Sequence, residues 1–151
     1  MTATLKNLLI DDEANQKRLL SDCVRLIDEE VGSKKGLSGL AIKGGFKIVR
    51  SVKPGFIEEV MEFLLPEFVA HLEPVYGEYQ AQSVEKLERF LMQRDYKVAD
   101  QLLGITDQHA NKTKNQGVKV AYEKLRPQAQ KHVAAAMPRV AKMLSSYVEN
   151  A

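Results

Sequence analysis

Residues 31–57 read VGSKKGLSGLAIKGGFKIVRSVKPGFI, and this stretch contains no aspartate or glutamate. It holds six glycines and six cations. The next segment, residues 58–85, reverses the pattern with seven acids and no lysine or arginine. Two explanations fit such segregation: neighbouring helices pair their charges within the fold, or a charged face binds a partner.

Apolar residues in the acid-free stretch recur with the helical period, and we predict a helix over residues 38–52. Its apolar residues cover most of the circumference, so we expect this helix near the centre of the molecule. A glycine inside a helix costs about 1 kcal/mol relative to alanine, so we also expect another helix to approach its glycines closely. The two adjacent glycines of this helix are Gly44 and Gly45.

The same period predicts helices along the rest of the chain, and no window alternates with period two for long enough to indicate a strand. Proline disfavours helical geometry in the residue before it, which places a break at Pro54. Residues 106–116 are polar and are expected to form a loop or an exposed helix. The other predicted helices cover residues 5–9, a segment from a cap at Asp11 or Asp12 to Val31, 54–71 with a kink or break at Pro66, 75–92, a segment around Val98 and Leu102, 118–125, and 127–148.

The sequence therefore predicts an all-α fold, a compact bundle of six to eight helices in a single helical domain spanning residues 1–151. A chain of 151 residues with 44% hydrophobic residues is long enough to bury a core. The two halves also show a faint similarity that suggests two related three-helix units: the run from Gly45 to Pro54 resembles the run from Gly117 to Pro127. The alternative is that proline simply opens helices often.

The cations of the predicted Gly/Lys helix are candidates for binding an anion. Lys43, Lys47 and Arg50 follow one another at i, i+4 and i+7 and therefore form one stripe beside glycine backbone. In the competing interpretation this stripe pairs with the acidic helix that follows. The acids available for that pairing are Glu58, Glu59, Glu62 and Glu67.

A second basic region, residues 108–148, has eight cations and one acid, Glu123. It overlaps a pattern similar to a helix-turn-helix motif, with the turn at Gly104. Asp100 departs from the motif, because it stands where the two helices usually require a small apolar residue. The side chains that this hypothesis places against DNA are Gln108, Asn111, Lys112 and Asn115.

No pattern of residues indicates a catalytic site, a metal site or a cofactor. The histidines are scattered, and Cys23 lies on an apolar helix face, which favours a buried, inert thiol. A single cysteine and the lack of a signal peptide or membrane span predict a cytoplasmic protein with no membrane partner. The net charge of +2 is too small to imply a nucleic-acid partner by itself.

Several segments of the sequence resemble a family of small bacterial proteins of unknown function. The resemblance is carried by KGLSGLAIKGGFKIV at residues 35–49, VKPGFI at 52–57, AYEKLRP at 121–127 and KHVAAAMP at 131–138. It spans most of the chain and implies a helical, cytoplasmic, bacterial protein. It brings no activity, ligand or catalytic residue with it.

Two functions remain open from the sequence. The first is a non-enzymatic interaction or scaffold module, with self-association into a homo-oligomer as one form. The alternative is binding of nucleic acid or of an anionic ligand such as phosphate through the basic segments 34–53 and 108–142. An enzyme whose residues come together from distant helices is the third and least favoured class.

Overall fold

The computed structural model describes residues 4–82 and 85–148, and within these two ranges it contains helices and no strand. The predicted all-α bundle of six to eight helices is thus confirmed. The eight helices in the described ranges are α1 (Leu5–Leu9), α2 (Glu13–Ser33), α3 (Gly36–Arg50), α4 (Phe56–Ala81), α5 (Leu87–Met92), α6 (Asp95–Lys112), α7 (Gln116–Ala135) and α8 (Met137–Val148).

Side-chain caps begin the first two helices. The Thr4 hydroxyl accepts a hydrogen bond from the Asn7 backbone N–H, and the Asn7 side chain bonds back to the Thr4 backbone. Asp12, one of the two caps predicted for α2, accepts from the Asn15 N–H at 3.0 Å. Because these caps satisfy N–H groups that have no partner within the helix, they fix where α1 and α2 begin.

Three prolines lie in the interior of a helix, so the helix boundaries predicted between residues 71 and 75 and between residues 125 and 127 are wrong. α4 continues through Pro66 and Pro74, and α7 continues through Pro127. All three prolines are exposed, which lets water bond the carbonyl that each proline leaves without an N–H. Pro54, by contrast, lies between α3 and α4 as predicted. The proposed internal repeat aligns Pro54 with Pro127, and these two residues have different structural positions.

The main hydrophobic core lies between α1, α2, α4, α5 and α8, and α6 contributes Val98. Leucine, valine and aromatic side chains from these helices interdigitate and exclude water, which supplies most of the stabilising apolar burial. Its largest fully buried side chains are Leu5, Leu9, Leu19, Val75, Val98 and Met137.

The position of α3 differs from the prediction. None of its described residues belongs to the main core, and α3 packs chiefly on α7 at the edge of the bundle. Only Gly39, Ile42 and Gly45 of α3 are buried. The expectation that α3 is central is therefore wrong. The helix has two apolar sides, and the fold buries only one of them.

Candidate interaction surface

The turn from α2 into α3 depends on two glycines. Gly36 has a φ of 72°, a left-handed conformation that a side chain disfavours. A Cβ at Gly39 would lie 2.6 Å from the backbone carbonyl carbon of Lys34, which leaves no room for one. Lys34 itself forms a 3.0 Å ion pair with Glu30, and both side chains are largely buried. The start of α3 is thus held close to the end of α2.

Two contacts fix α3 against α7. The Ser38 hydroxyl lies 2.6 Å from Nε2 of His132, and a Cβ at Gly45 would lie 2.6 Å from Cδ2 of Leu125. Residue numbers rise along α3 as they fall along α7, so the two helices are antiparallel. Burial lowers the pKa of His132, and the nearby Lys34 lowers it further. The ring is therefore neutral at pH 7. When its proton is on Nδ1, the Nε2 atom accepts a hydrogen bond from the Ser38 hydroxyl.

The opposite side of α3 is apolar and open to solvent. Leu37 is 87% exposed and Leu40 is 67% exposed, both far above the exposure of a leucine that packs in a core. With 3.6 residues per turn these positions share one side of the helix with three further apolar or glycine residues. We call this side the outward α3 face: Leu37, Leu40, Ala41, Gly44 and Ile48.

The three candidate anion-binding residues border the outward α3 face, and the structure distinguishes them. The Arg50 guanidinium contacts the Asp28 carboxylate of α2. Lys43 and Lys47 are exposed, and no acidic side chain in the described ranges forms an ion pair with either. Two of the three cations thus remain available to a partner.

The acidic helix does not neutralise this stripe. Lys53 and Glu59 form a 2.7 Å ion pair at the junction of α3 and α4. Glu67 instead bonds His109 of α6 at 2.8 Å. Glu58 and Glu62 are exposed and form no ion pair with any described residue. Within the part of the chain that the structure describes, the pairing suggested for Lys43, Lys47 and Arg50 with α4 is not formed.

Phe63 of α4 adds an exposed apolar side chain beside these acids. It is 64% exposed, and its ring meets the edge of the His109 ring at a centroid distance of 5.0 Å. An aromatic side chain this exposed is a frequent anchor in protein interfaces. We call this second surface the acidic α4 face: Glu58, Glu59, Glu62 and Phe63.

The predicted helix-turn-helix is wrong, because α6 runs without a turn through Gly104. Asp100, the residue that fitted the motif poorly, is exposed and accepts a 2.7 Å hydrogen bond from Gln130 of α7. The four DNA-contact candidates lie around the junction of α6 and α7. Gln108, Asn111 and Lys112 are exposed on α6, and the Asn115 side chain caps α7 by accepting from the Val118 N–H at 3.0 Å.

A polar cluster that the sequence did not reveal joins α6 to α7. The Asp107 carboxylate accepts two hydrogen bonds from Arg126, at 2.8 and 3.1 Å, and a third from the Tyr122 hydroxyl. The Arg126 bonds lower the pKa of Asp107, and burial together with Asp107 raises the pKa of Tyr122 to about 12. Thr106 bonds the same hydroxyl at 2.7 Å. The residues are 15 to 19 positions apart, and no local pattern indicates their contact.

The chemistry of the remaining groups is consistent with structural roles. Burial raises the pKa of the Cys23 thiol to about 12, so it is protonated at pH 7 and not nucleophilic. Across the described residues, no group of three or more His, Cys, Asp or Glu side chains is placed to hold a metal ion. An open concavity of about 420 Å³ lies beside α5 and is lined by Lys86, Glu88, Arg89, Met92 and Gln93, none of which belongs to either face defined above.

The described residues form a helical bundle that exposes the outward α3 face, two lysines beside it without an ion pair, and the acidic α4 face. No helix in residues 4–82 and 85–148 has the length and apolarity needed to cross a membrane. The chain belongs to a family of unknown function, DUF6918, whose model matches residues 5–148. No curated protein and no solved structure matches the chain.

Proposed function

We propose that the protein is a non-enzymatic interaction module that binds a protein partner through the outward α3 face. The observation that carries this proposal is the exposure of Leu37 and Leu40 on a helix that the fold holds firmly on its other side. Each leucine in water forgoes the stabilisation that burial supplies, about 1.5–3 kcal/mol for a complete side chain. A partner that covers this face recovers that free energy.

The neighbouring residues support a helical, acidic partner. Gly44 lies in the middle of the outward α3 face, and apart from its chain neighbours and the adjoining α3 backbone no described atom lies within 4 Å of the position of an added Cβ. The fold therefore does not require this glycine, whereas a second helix approaches more closely over a glycine than over a side chain. Lys43 and Lys47 flank the face and offer a carboxylate partner two charges that are unpaired within the described chain.

The experiment uses a photoreactive amino acid at position 40 of the full chain, in the cells that naturally express it. We expect a covalent adduct of defined mass when the residue replaces Leu40. The same photoreactive residue at Lys17, exposed on α2, is the matched control and should give no such adduct. Equal labelling at both positions, or none at either, contradicts the proposal. Specific turnover of a metabolite by the purified protein contradicts its non-enzymatic part.

Binding of nucleic acid or another polyanion is a second candidate, favoured by one observation. The basic segments 34–53 and 108–142 come together, because α3 and α7 pack side by side. The arginines of these segments are paired with carboxylates, whereas no described acid forms an ion pair with the lysines that run from the last residue of α6 through α7. The lysines in question are Lys112, Lys114, Lys119, Lys124 and Lys131.

Binding of labelled duplex DNA and retention on heparin at low salt test this second candidate. Each phosphate contact adds roughly −0.9 to the slope of log affinity against log salt. Replacing Lys114, Lys124 and Lys131 by glutamine should therefore weaken binding and flatten that slope, whereas Lys17→Gln with Lys97→Gln should not. Free inorganic phosphate as a competitor distinguishes a small-anion site from a polyanion surface. Absence of both retention and DNA binding contradicts the candidate.

A further inference from the structure

We infer that the partner of the outward α3 face is the acidic α4 face of a second copy of this chain. This inference rests on the proposed function and names the partner. The chain carries both halves of a complementary contact, one cationic and one anionic, and each has exposed apolar side chains. Glu59 pairs with Lys53 at the junction of α3 and α4, and no ion pair among the described residues joins Lys43 or Lys47, which border the outward α3 face, to the acidic α4 face.

The spacing of the charges matches between the two faces. Lys43 and Lys47 are four residues apart on α3, and Glu58 and Glu62 are four residues apart on α4. Four residues rise about 6 Å along an α-helix, so two antiparallel helices bring both pairs together at once. Lys43 then meets Glu62 of the second copy, and Lys47 meets Glu58. Two unpaired cations meet two unpaired carboxylates, and the contact is neutral.

The apolar residues fit the same register. In an antiparallel pairing that sets Lys43 opposite Glu62, Phe63 falls beside Leu40 and Ala41. Gly44 lies one turn further along the outward α3 face, and its missing side chain leaves room for the aromatic ring. Phe63 and Leu40 are large exposed side chains close to the charges on each face, at 64% and 67% exposure. Their burial supplies the affinity, and the charges select the register.

The position of the two faces favours a closed dimer. α3 and α4 are consecutive helices, and the Lys53–Glu59 ion pair spans their junction. In this inference a two-fold axis relates the two copies, so that each uses its outward α3 face and its acidic α4 face at the same time. Such an interface makes every contact twice and leaves no face open for further growth.

The test is a charge exchange in the purified full chain, with sedimentation velocity over a range of concentration and salt. We expect the wild-type chain to dimerise, and K43E/K47E or E58K/E62K to be monomeric, with dissociation constants raised roughly a hundredfold or more. An equimolar mixture of these two variants should restore a dimer that contains one of each. The variant K17E/K97E carries the same charge change on exposed lysines elsewhere and should dimerise like the wild type.

Each outcome decides the inference. Leu40→Ser provides a second route to the monomer that alters no charge, and circular dichroism confirms that each variant is folded. A wild-type chain that stays monomeric, a dimer that survives K43E/K47E, or a mixture that does not recombine overturns the inference. An adduct at position 40 with a different protein, joined to a monomeric purified chain, overturns the inference and leaves the proposed function standing.

Discussion

The main core and the α3–α7 side of this protein are built from different residues. The core uses leucine, valine and aromatic side chains from α1, α2, α4, α5 and α8. On the α3–α7 side, the Leu125 side chain of α7 packs over Gly45, and Ser38 hydrogen-bonds His132. Gly39 brings the start of α3 close to the Lys34 backbone at the end of α2. The first region buries its large apolar residues. The second leaves Leu37 and Leu40 in water, so its sequence is explained only in part by folding.

The charged residues show the same division. In the two acid-poor segments, Arg50, Arg126 and Arg139 each contact a carboxylate of another helix. Guanidinium groups suit such links because their planar donors bind carboxylate oxygens in a fixed geometry. Lys43 and Lys47 have no described acid to pair with, so arginines connect helices here and these lysines remain at the surface.

The largest expected effect compares a leucine from each region. Leu19 of α2 is 1% exposed in the main core, and Leu40 of α3 is 67% exposed. We expect Leu19→Ala to lower the free energy of unfolding by about 2–5 kcal/mol, because it removes buried methyl groups and leaves a cavity. Leu40→Ala should change it by about 0.5 kcal/mol or less.

Urea denaturation of both variants measures this difference, with dimerisation suppressed by dilution. If Leu40→Ala lowers stability as much as Leu19→Ala, Leu40 packs within the monomer and the distinction between the two regions fails.

Two glycines within α3 sharpen the comparison, with smaller expected changes in the free energy of unfolding. At Gly39 an added Cβ meets the Lys34 backbone, which cannot move aside as a side chain can. We expect Gly39→Ala to destabilise by about 1–3 kcal/mol. At Gly44 the added Cβ meets nothing within 4 Å, and alanine is the better helix former, so Gly44→Ala should stabilise by about 0.5–1 kcal/mol.

Thermal unfolding at low protein concentration shows in one experiment whether each alanine variant is less or more stable than the wild-type chain. Sedimentation adds a second readout, because the methyl group of Gly44→Ala fills the space proposed for Phe63 of a second copy. A more stable monomer with a weaker dimer is the expected combination. A destabilised Gly44→Ala monomer contradicts the assignment of this glycine to a surface outside the fold.

Local sequence signals predicted where the helices lie along the chain well, but predicted poorly how deeply each helix is buried. Asp12 and Pro54 acted as expected, because a cap and a break depend on neighbouring residues alone. Pro127 did not end a helix, since its exposed position lets water satisfy the freed carbonyl. The burial of α3 depends on which of its two apolar sides packs against α7. That choice is made by the approach of Leu125 to Gly45, eighty positions away in the chain.

The candidate site was predictable to a similar extent. The stripe of cations was visible from the spacing of Lys43 and Lys47, whereas the partner of Arg50 on α2 and the lack of pairing with α4 required the fold. The exposure of Leu40 and Phe63 had no sequence signal, because leucine and phenylalanine in helices usually mark the buried side.

The smallest expected effect is a pH dependence of the α3–α7 contact, and it depends on His132. Burial, aided by Lys34, lowers the pKa of His132 from its ordinary value of 6.5, so the unfolded chain takes up a proton at higher pH than the folded chain does. The contribution to stability is therefore complete above pH 6.5 and declines as the pH falls from there through the folded pKa. Protonation also removes the acceptor for the Ser38 hydroxyl.

We expect the wild-type chain to lose stability between pH 7.5 and 5 more steeply than His132→Gln, whose amide bonds Ser38 without titrating. The difference between the two slopes, measured by urea denaturation, isolates His132 from His71 and His109, which are present in both proteins. Parallel slopes show that His132 titrates alike in the folded and unfolded chains. The surroundings of His132 in the folded chain, including Ser38 and Lys34, then favour the neutral and the protonated ring equally, and the packing of α3 on α7 carries no pH dependence from this residue.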